Sequence, residues 1–136
     1  MTATDEGGAL TAFVVVLAFA LFVLAGLVVD GGRAITVRTS AEGEAAQAAR
    51  AGAAQLSVEA VRDGTISLAP GPAAQAAQRY LDAVGRSGAV TVTGTTVGVT
   101  VRVVEPTVIL GVVGVDDLSF SVHATATDVH GVAGGD

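Results

Sequence analysis

The side chains most able to do chemistry are few and widely separated. The chain has two histidines, His123 and His130, and no cysteine, so thiolate catalysis and cysteine-ligated metals are excluded. Two histidines without a group of carboxylates make a weak metal site at best, and we interpret both as solvated side chains. Asp116 and Asp117 lack the Asp-x-Asp-x-Asp-Gly spacing of a calcium loop, which favours a loop-capping role. The sequence therefore predicts no metal site.

Two further polar groups border a long apolar run. Gly31-Gly32 has neither the Gly-x-Gly-x-x-Gly pattern nor the Gly-Lys-Ser/Thr ending of a phosphate loop. Asp30 ends the apolar run, where an acid must be solvated or paired, and Arg33 follows one helical turn later. We predict an Asp30–Arg33 ion pair at the membrane interface, with an inter-subunit contact of Asp30 as the alternative.

These residues make no recognisable catalytic set. We therefore expect no catalytic residue, no cofactor and no small-molecule substrate. A membrane-anchored enzyme subunit or regulator whose site is hidden in the sequence is a further alternative, and loss of activity on changing Asp116 or His123 would favour it.

Composition narrows the class of protein. The 136 residues carry 13 acidic and 7 basic side chains, all of the latter Arg, for a net charge of −6. The arginines are scattered, whereas nucleic-acid binding normally requires a basic cluster. Charged residues make up 15% against an average of about 25%, and the mean hydropathy is +0.64. These values exclude nucleic-acid partners and indicate a membrane protein with one small domain.

Residues 7–29 contain no charged side chain. As a helix they extend roughly 34 Å at about 1.5 Å per residue, enough to cross a hydrocarbon core of about 30 Å. A cleaved signal peptide has a basic start and a shorter apolar region, whereas Asp5 and Glu6 precede this run. We predict a retained anchor; the alternative is a secreted binding or adhesion module released by signal peptidase near Ala25-Gly26.

Small side chains mark two helical segments. In the apolar run they could form a helix-packing face in the membrane or simply reflect an Ala-rich anchor. From residue 34 to about 62, apolar positions recur at spacings of three and four, which predicts a helix that packs on its own domain or on a neighbouring subunit. The predicted membrane face is Ala12, Ala18, Ala25 and Gly26, and the predicted second face is Ala41, Ala45, Ala49, Gly52 and Leu56.

Helix-breaking residues and a change in the spacing of apolar residues follow these two segments. Asp63-Gly64 and Pro70-Gly71-Pro72 bound a connection over 64–72 that could hold a short strand at 65–68. A helix is predicted over 73–84, with Tyr80 in the core. From residue 89 apolar residues alternate with a period of two, which predicts three antiparallel strands and a hairpin near 94–96. The apolar segment 107–115 fits a helical turn, a strand or an exposed loop that contacts lipid or a partner.

Two stretches together resemble the N-terminal region of TadG-like and TadE-like proteins of the bacterial tight-adherence (Tad, or Flp) pilus system. The first runs from Gly8-Ala9-Leu10-Thr11-Ala12-Phe13 through the apolar span to Ala25-Gly26-Leu27-Val28-Val29-Asp30-Gly31-Gly32-Arg33, with Arg38 beyond. The second is Ala45-Ala46-Gln47-Ala48-Ala49-Arg50-Ala51-Gly52-Ala53. The resemblance implies a pseudopilin-like or minor-pilin-like subunit with a long N-terminal helix, its first half in the membrane, and a small β domain outside. Together with the short helix and the strands predicted above, the expected fold is α+β, with the long helix and a short helix packed on a small antiparallel sheet.

The resemblance also makes Gly7 or Gly8 a candidate site for proteolytic processing. Type IV pilins and TadE-like proteins are similar in having a Gly cleaved by prepilin peptidase and a Glu five residues later. A cut after Gly8 places Phe13 at that position, and a cut after Gly7 places Ala12. TadG-like proteins are often longer, so this chain resembles a short variant.

The expected organisation is a cytoplasmic stub (1–6), a transmembrane helix (7–29), a helix extension (30–63), a small extracytoplasmic α+β domain (64–130) and a flexible tail (131–136). Arg33 and Arg38 alone would place the domain in the cytoplasm by the positive-inside rule, whereas the resemblance implies the outside, which we adopt. The expected function is that of a non-catalytic pilus-assembly or secretion component in the bacterial cytoplasmic membrane. Its expected partners are the membrane, other pilus subunits, assembly-platform proteins and, by self-association, other copies of the chain.

Overall fold

The computed structural model describes residues 3–55, 62–64 and 67–127. The elements, in chain order, are helix α1 (Ala3–Ala53), helix α2 (Pro70–Ala83), strands β1 (Gly88–Thr93) and β2 (Thr96–Pro106), a 3-10 helix (Leu110–Val113) and strand β3 (Asp117–Thr127). This is the predicted α+β fold. Of the sequence predictions, those for Leu56, His130 and the tail 131–136, and the first half of that for a strand at 65–68, lie outside the described residues.

Two compact units divide the chain. The first contains Met1–Val37 and Val104–Leu118, and the second contains Arg38–Val103 and Ser119–Asp136. Helix α1 contributes to both, since it continues without a break through Gly31 and Gly32. A pair of glycines costs roughly 1 kcal/mol each in a helix interior, and the apolar and alanine-rich segments on either side supply the helix propensity that outweighs this cost.

In the first unit, the N-terminal half of α1 is apolar and exposed. Phe13, Leu17 and Val28 keep 63%, 46% and 75% of their surface accessible, although side chains of this kind are normally buried in water-soluble proteins. Residues 7–53 form a helix long and apolar enough, by length and composition, to cross a membrane. An apolar helix with this exposure fits a single-pass membrane anchor.

The second unit has a core of small side chains. Ala41, Ala45, Ala48 and Ala49 of α1 are fully buried, which shows that this face packs on its own unit. Gly52 continues the face. A Cβ built there would lie 2.9 Å from the backbone oxygen of Ala73 and 3.0 Å from Cγ1 of Val97, so only glycine fits at this contact without a shift of its neighbours.

Helix α2 begins at Pro70 rather than at the predicted residue 73. The prolines that we treated as part of the connection occupy its first turn, where the missing N–H has no helical partner and the fixed φ favours helix. Ala73, Ala77 and Leu81 are fully buried, and α2 packs against β1. Tyr80, predicted in the core, is half-buried.

The sheet has the order β1-β2-β3 and is antiparallel. Gly88 pairs with Val101 and Thr93 with Thr96, so the predicted hairpin turns through Gly94-Thr95. Side chains of β2 and β3 meet at Thr96 with Thr127 and at Thr100 with His123. The inward residues of β2 match the predicted alternation: Val97, Val99, Val101 and Val103 are buried.

Candidate functional site

Asp30 is the one buried charged side chain in the described part of the chain, with 3% of its surface exposed. Its Oδ1 accepts a hydrogen bond from the backbone N–H of Val108 at 3.0 Å. Its Oδ2 accepts two more, from Ile109 at 2.9 Å and from Leu110 at 2.8 Å. Backbone donors to a carboxylate form charge-assisted hydrogen bonds, which are among the stronger kinds in proteins. The carboxylate thus fastens α1 to the start of the 3-10 helix.

Gly26, one helical turn before Asp30, allows this approach. A Cβ built on Gly26 would lie 2.7 Å from Cγ2 of Ile109 and 3.4 Å from Cδ2 of Leu110. Leu110 is itself buried. A side chain at position 26 would therefore require the side chain of Ile109 to shift.

Arg33 lies one turn after Asp30 and forms an ion pair with Glu105, with 3.1 Å between Nη2 and Oε1. The predicted Asp30–Arg33 ion pair is therefore replaced by two other contacts: Asp30 binds backbone amides, and Arg33 pairs with Glu105. The physical reason is that three N–H donors satisfy a buried carboxylate more completely than one guanidinium whose side chain is half exposed. A shallow groove lined by Val29, Thr36 and Glu105 runs beside this pair.

The ends of the segment 107–115 are tied together. The backbone N–H of Thr107 donates to the Asp116 oxygen at 3.0 Å, and the Thr107 hydroxyl donates to the backbone oxygens of Val115 and Asp116. The 3-10 helix ends at Gly114, which has a positive φ of 90°. The segment that the sequence left open between helical turn, strand and loop is therefore a closed 3-10 turn.

The predicted small-residue faces have different surroundings. Ala12, Ala18 and Ala25 are exposed on α1, whereas Gly26 is covered by the chain's own turn. Of the second face, Ala41, Ala45, Ala49 and Gly52 are buried in the second unit. Gly7 and Gly8, where processing was considered, lie within α1 with open space around them.

The remaining polar candidates have other partners or are exposed. His123, on β3, shares a 3.0 Å hydrogen bond between its Nδ1 and the Thr100 hydroxyl. Asp116 and Asp117 are exposed, and the Asp116 backbone oxygen helps close the turn. Within residues 3–55, 62–64 and 67–127, no three His, Asp or Glu side chains are grouped so that they could hold a metal ion.

Sequence reasoning missed Glu105 and the three amides as partners of the helix. One signal was present. The segment 107–115 is apolar, so its backbone N–H groups need partners where water is excluded, and Asp30 is an acid at the end of an apolar run. Glu105 is also the one charged residue between Arg102 and Asp116. No local spacing connects these positions, because they are nearly 80 residues apart.

The fold and the site define a class: α+β proteins with one long, lipid-compatible N-terminal helix and no recognisable catalytic constellation among the described residues. Residues 7–55 match the Tad family model, described as Flp pilus-assembly TadE/G-like. This segment is therefore similar to the Tad family, and the resemblance to TadE/G-like pilus-assembly proteins is confirmed. The Tad pilus-assembly family is generally structural rather than catalytic. Searches among curated proteins and among solved structures gave no match.

The matched segment holds the apolar span, Asp30 and the buried alanine face, but not the residues that Asp30 binds. Val108, Ile109 and Leu110 lie well beyond residue 55. The segment that matches the Tad family model is thus hydrogen-bonded to a turn that lies outside the match.

Proposed function

We propose that this protein is a non-catalytic, membrane-anchored component of a Tad/Flp pilus-assembly or secretion apparatus, acting as a pseudopilin or minor pilin. The Tad domain supports involvement in Flp/Tad pilus assembly. One observation carries the proposal further: the matched helix is apolar and largely exposed between Leu10 and Val29, and the buried carboxylate of Asp30 binds the backbone of the chain's own turn. A helix fastened in this way can hold a domain at the membrane without any chemistry.

The proposed location is the bacterial cytoplasmic membrane, crossed once by residues 7–29. The C-terminal domain lies on the extracytoplasmic side, as in the family that the N-terminal segment resembles. Residues 1–6 then face the cytoplasm, the part of α1 that follows Val29 extends the helix outward as far as Ala53, and the C-terminal domain follows. This organisation leaves Gly7 and Gly8 at the inner edge of the membrane, where a prepilin peptidase would act.

The proposed partners are other pilus subunits and assembly-platform proteins, with self-association included. Ala12, Ala18 and Ala25 are exposed on the apolar half of α1, and small side chains allow neighbouring membrane helices to approach closely. The alanines from Ala41 to Ala49 that are buried are not free for such contacts, since the chain itself covers them. Gly52, on the same face, lies against Ala73 of α2 and Val97 of β2.

Deletion of the gene in the native bacterium tests the function. We expect the deletion strain to lose surface Flp pili, measured as pilin in the sheared fraction and as fibres in electron micrographs. Re-expression of the wild-type chain restores both readouts, and so does the control variant Gly43→Ala, because Gly43 has open space around it. Normal pilus number and length in the deletion strain would overturn the proposal.

A tagged chain separates the two proposed roles. A minor pilin is recovered in the sheared fibres, whereas an assembly component stays in the membrane fraction.

A further inference from the structure

The segment 107–115 is held at a fixed level along α1. Ile109 and Leu110 contact Gly26, and three amides bind Asp30. Gly26 lies inside the apolar span 7–29, about 4.5 Å from its end at about 1.5 Å per residue. If the span crosses a bilayer, the turn is therefore placed beside the edge of the hydrocarbon core.

The surface of this turn is apolar. Val108 and Val112 expose 59% and 74% of their surface, and no charged residue occurs between Glu105 and Asp116. Exposed valines in a charge-free turn resemble the exposed side chains of the span itself rather than a water-facing loop. The apolar surface of the helix thus continues onto the turn.

Many backbone N–H groups of the turn also have internal hydrogen-bond partners, which an environment with little water requires. Irregular backbone exposed to hydrocarbon is costly unless its polar groups have internal partners. Here Asp30 supplies acceptors for the amides of Val108, Ile109 and Leu110. Backbone oxygens accept from four further amides: Thr107 donates to Asp116, Val112 to Ile109, Gly114 to Gly111 and Val115 to Leu110.

We propose that the segment 107–115 is a second membrane contact, inserted into the interface beside the C-terminal end of the span, with Val108 and Val112 against lipid acyl chains. Asp30 then has a defined role: it pairs the amides of an inserted turn. The inference rests on the proposed anchoring of residues 7–29 in the membrane. The lipid, rather than a partner protein, is chosen because the turn lies at the level of the span and its apolar surface continues that of the span.

The absence of cysteine allows one reporter position at a time. The full chain is reconstituted into vesicles of zwitterionic and anionic phospholipids, with an environment-sensitive fluorophore on a single introduced cysteine. The variants are Val112→Cys in the turn, Leu17→Cys in mid-span and Thr36→Cys on exposed α1, about 10 Å past Val29 at about 1.5 Å per residue. Quenching is measured with lipids that carry a nitroxide on the acyl chain.

We expect Val112→Cys to show a blue-shifted emission and several-fold stronger quenching than Thr36→Cys, approaching that of Leu17→Cys. Quenching at Leu17→Cys alone would leave the anchor intact and overturn the inserted turn. A blue shift at Val112→Cys without lipid quenching would indicate a protein contact and would also overturn it. Absence of quenching at Leu17→Cys would contradict the anchor itself, and with it the inserted turn.

Discussion

Removal of the Asp30 carboxylate is the perturbation that most directly probes the helix–turn contact. Asp30→Ala leaves the amides of Val108, Ile109 and Leu110 without their acceptor at 2.8–3.0 Å. Each hydrogen bond to a charged group shifts a local equilibrium by roughly ten- to a hundredfold. Because the three bonds are not independent and water replaces part of them, we expect amide exchange in this turn to accelerate by roughly three orders of magnitude.

Asp30→Asn removes only part of the hydrogen bonding that Asp30→Ala removes. An amide side chain has one acceptor oxygen, so it can keep the two bonds to Ile109 and Leu110 in neutral form while its NH2 group opposes the N–H of Val108. We expect exchange to accelerate by roughly one to two orders of magnitude. The ordering wild type, then Asn, then Ala follows from the geometry of the two carboxylate oxygens.

The assay is hydrogen–deuterium exchange with mass spectrometry on the full chain in detergent micelles, in which the peptide covering 107–115 is compared between variants. Arg33→Gln is the matched control, since it removes a half-exposed ion pair and should change exchange by less than about fivefold. Peptides covering 97–103 of β2 should exchange at the wild-type rate, which would show that the sheet is intact. Unchanged exchange of 107–115 in Asp30→Ala would refute the reasoning.

Three further changes probe the second unit by denaturant unfolding of the full chain. Gly52→Val should destabilise this unit by about 1–3 kcal/mol through overpacking, because a Cβ there already meets a backbone oxygen at 2.9 Å. Its control is Gly43→Ala, in open space on the same helix, which should be neutral or stabilising by up to about 1 kcal/mol. Leu81→Ala should cost about 2–5 kcal/mol because Leu81 is fully buried, and the exposed Val84→Ala should cost less than about 0.5 kcal/mol. Arg86→Gln breaks a largely shielded ion pair and should cost about 1 kcal/mol, less at high salt. Equal effects for a test variant and its control would contradict the packing described.

Local patterns were enough to predict the fold. The valines at 97, 99, 101 and 103 alternate with polar or small residues, and each lies buried on one face of β2. The alanines from Ala41 recur at helical spacing and lie on the buried face of α1. In both cases the side-chain period of the helix or strand decides which residues share a face. The burial of each residue can therefore be predicted from its near neighbours in the sequence.

The candidate site depends on contacts that local patterns do not encode. The rule that neighbours at i and i+3 interact favoured Arg33 as the partner of Asp30, whereas the actual donors come from residues 108–110. The apolar segment around them, with glycines at 111 and 114, is compatible with a turn, a strand or a loop. Only the pairing of β2 with β3 brings the ends of this segment together and returns it to the helix.

The central claim is that residues 7–29 remain in the membrane and hold a domain on its outer side. The most direct measurement is the intact mass of the protein purified from its native membranes, together with protease digestion of whole protoplasts. We expect either the full-length mass or loss of only the first seven or eight residues, with the domain digested from outside. Loss of the whole apolar run, or a domain protected from external protease, would contradict the claim.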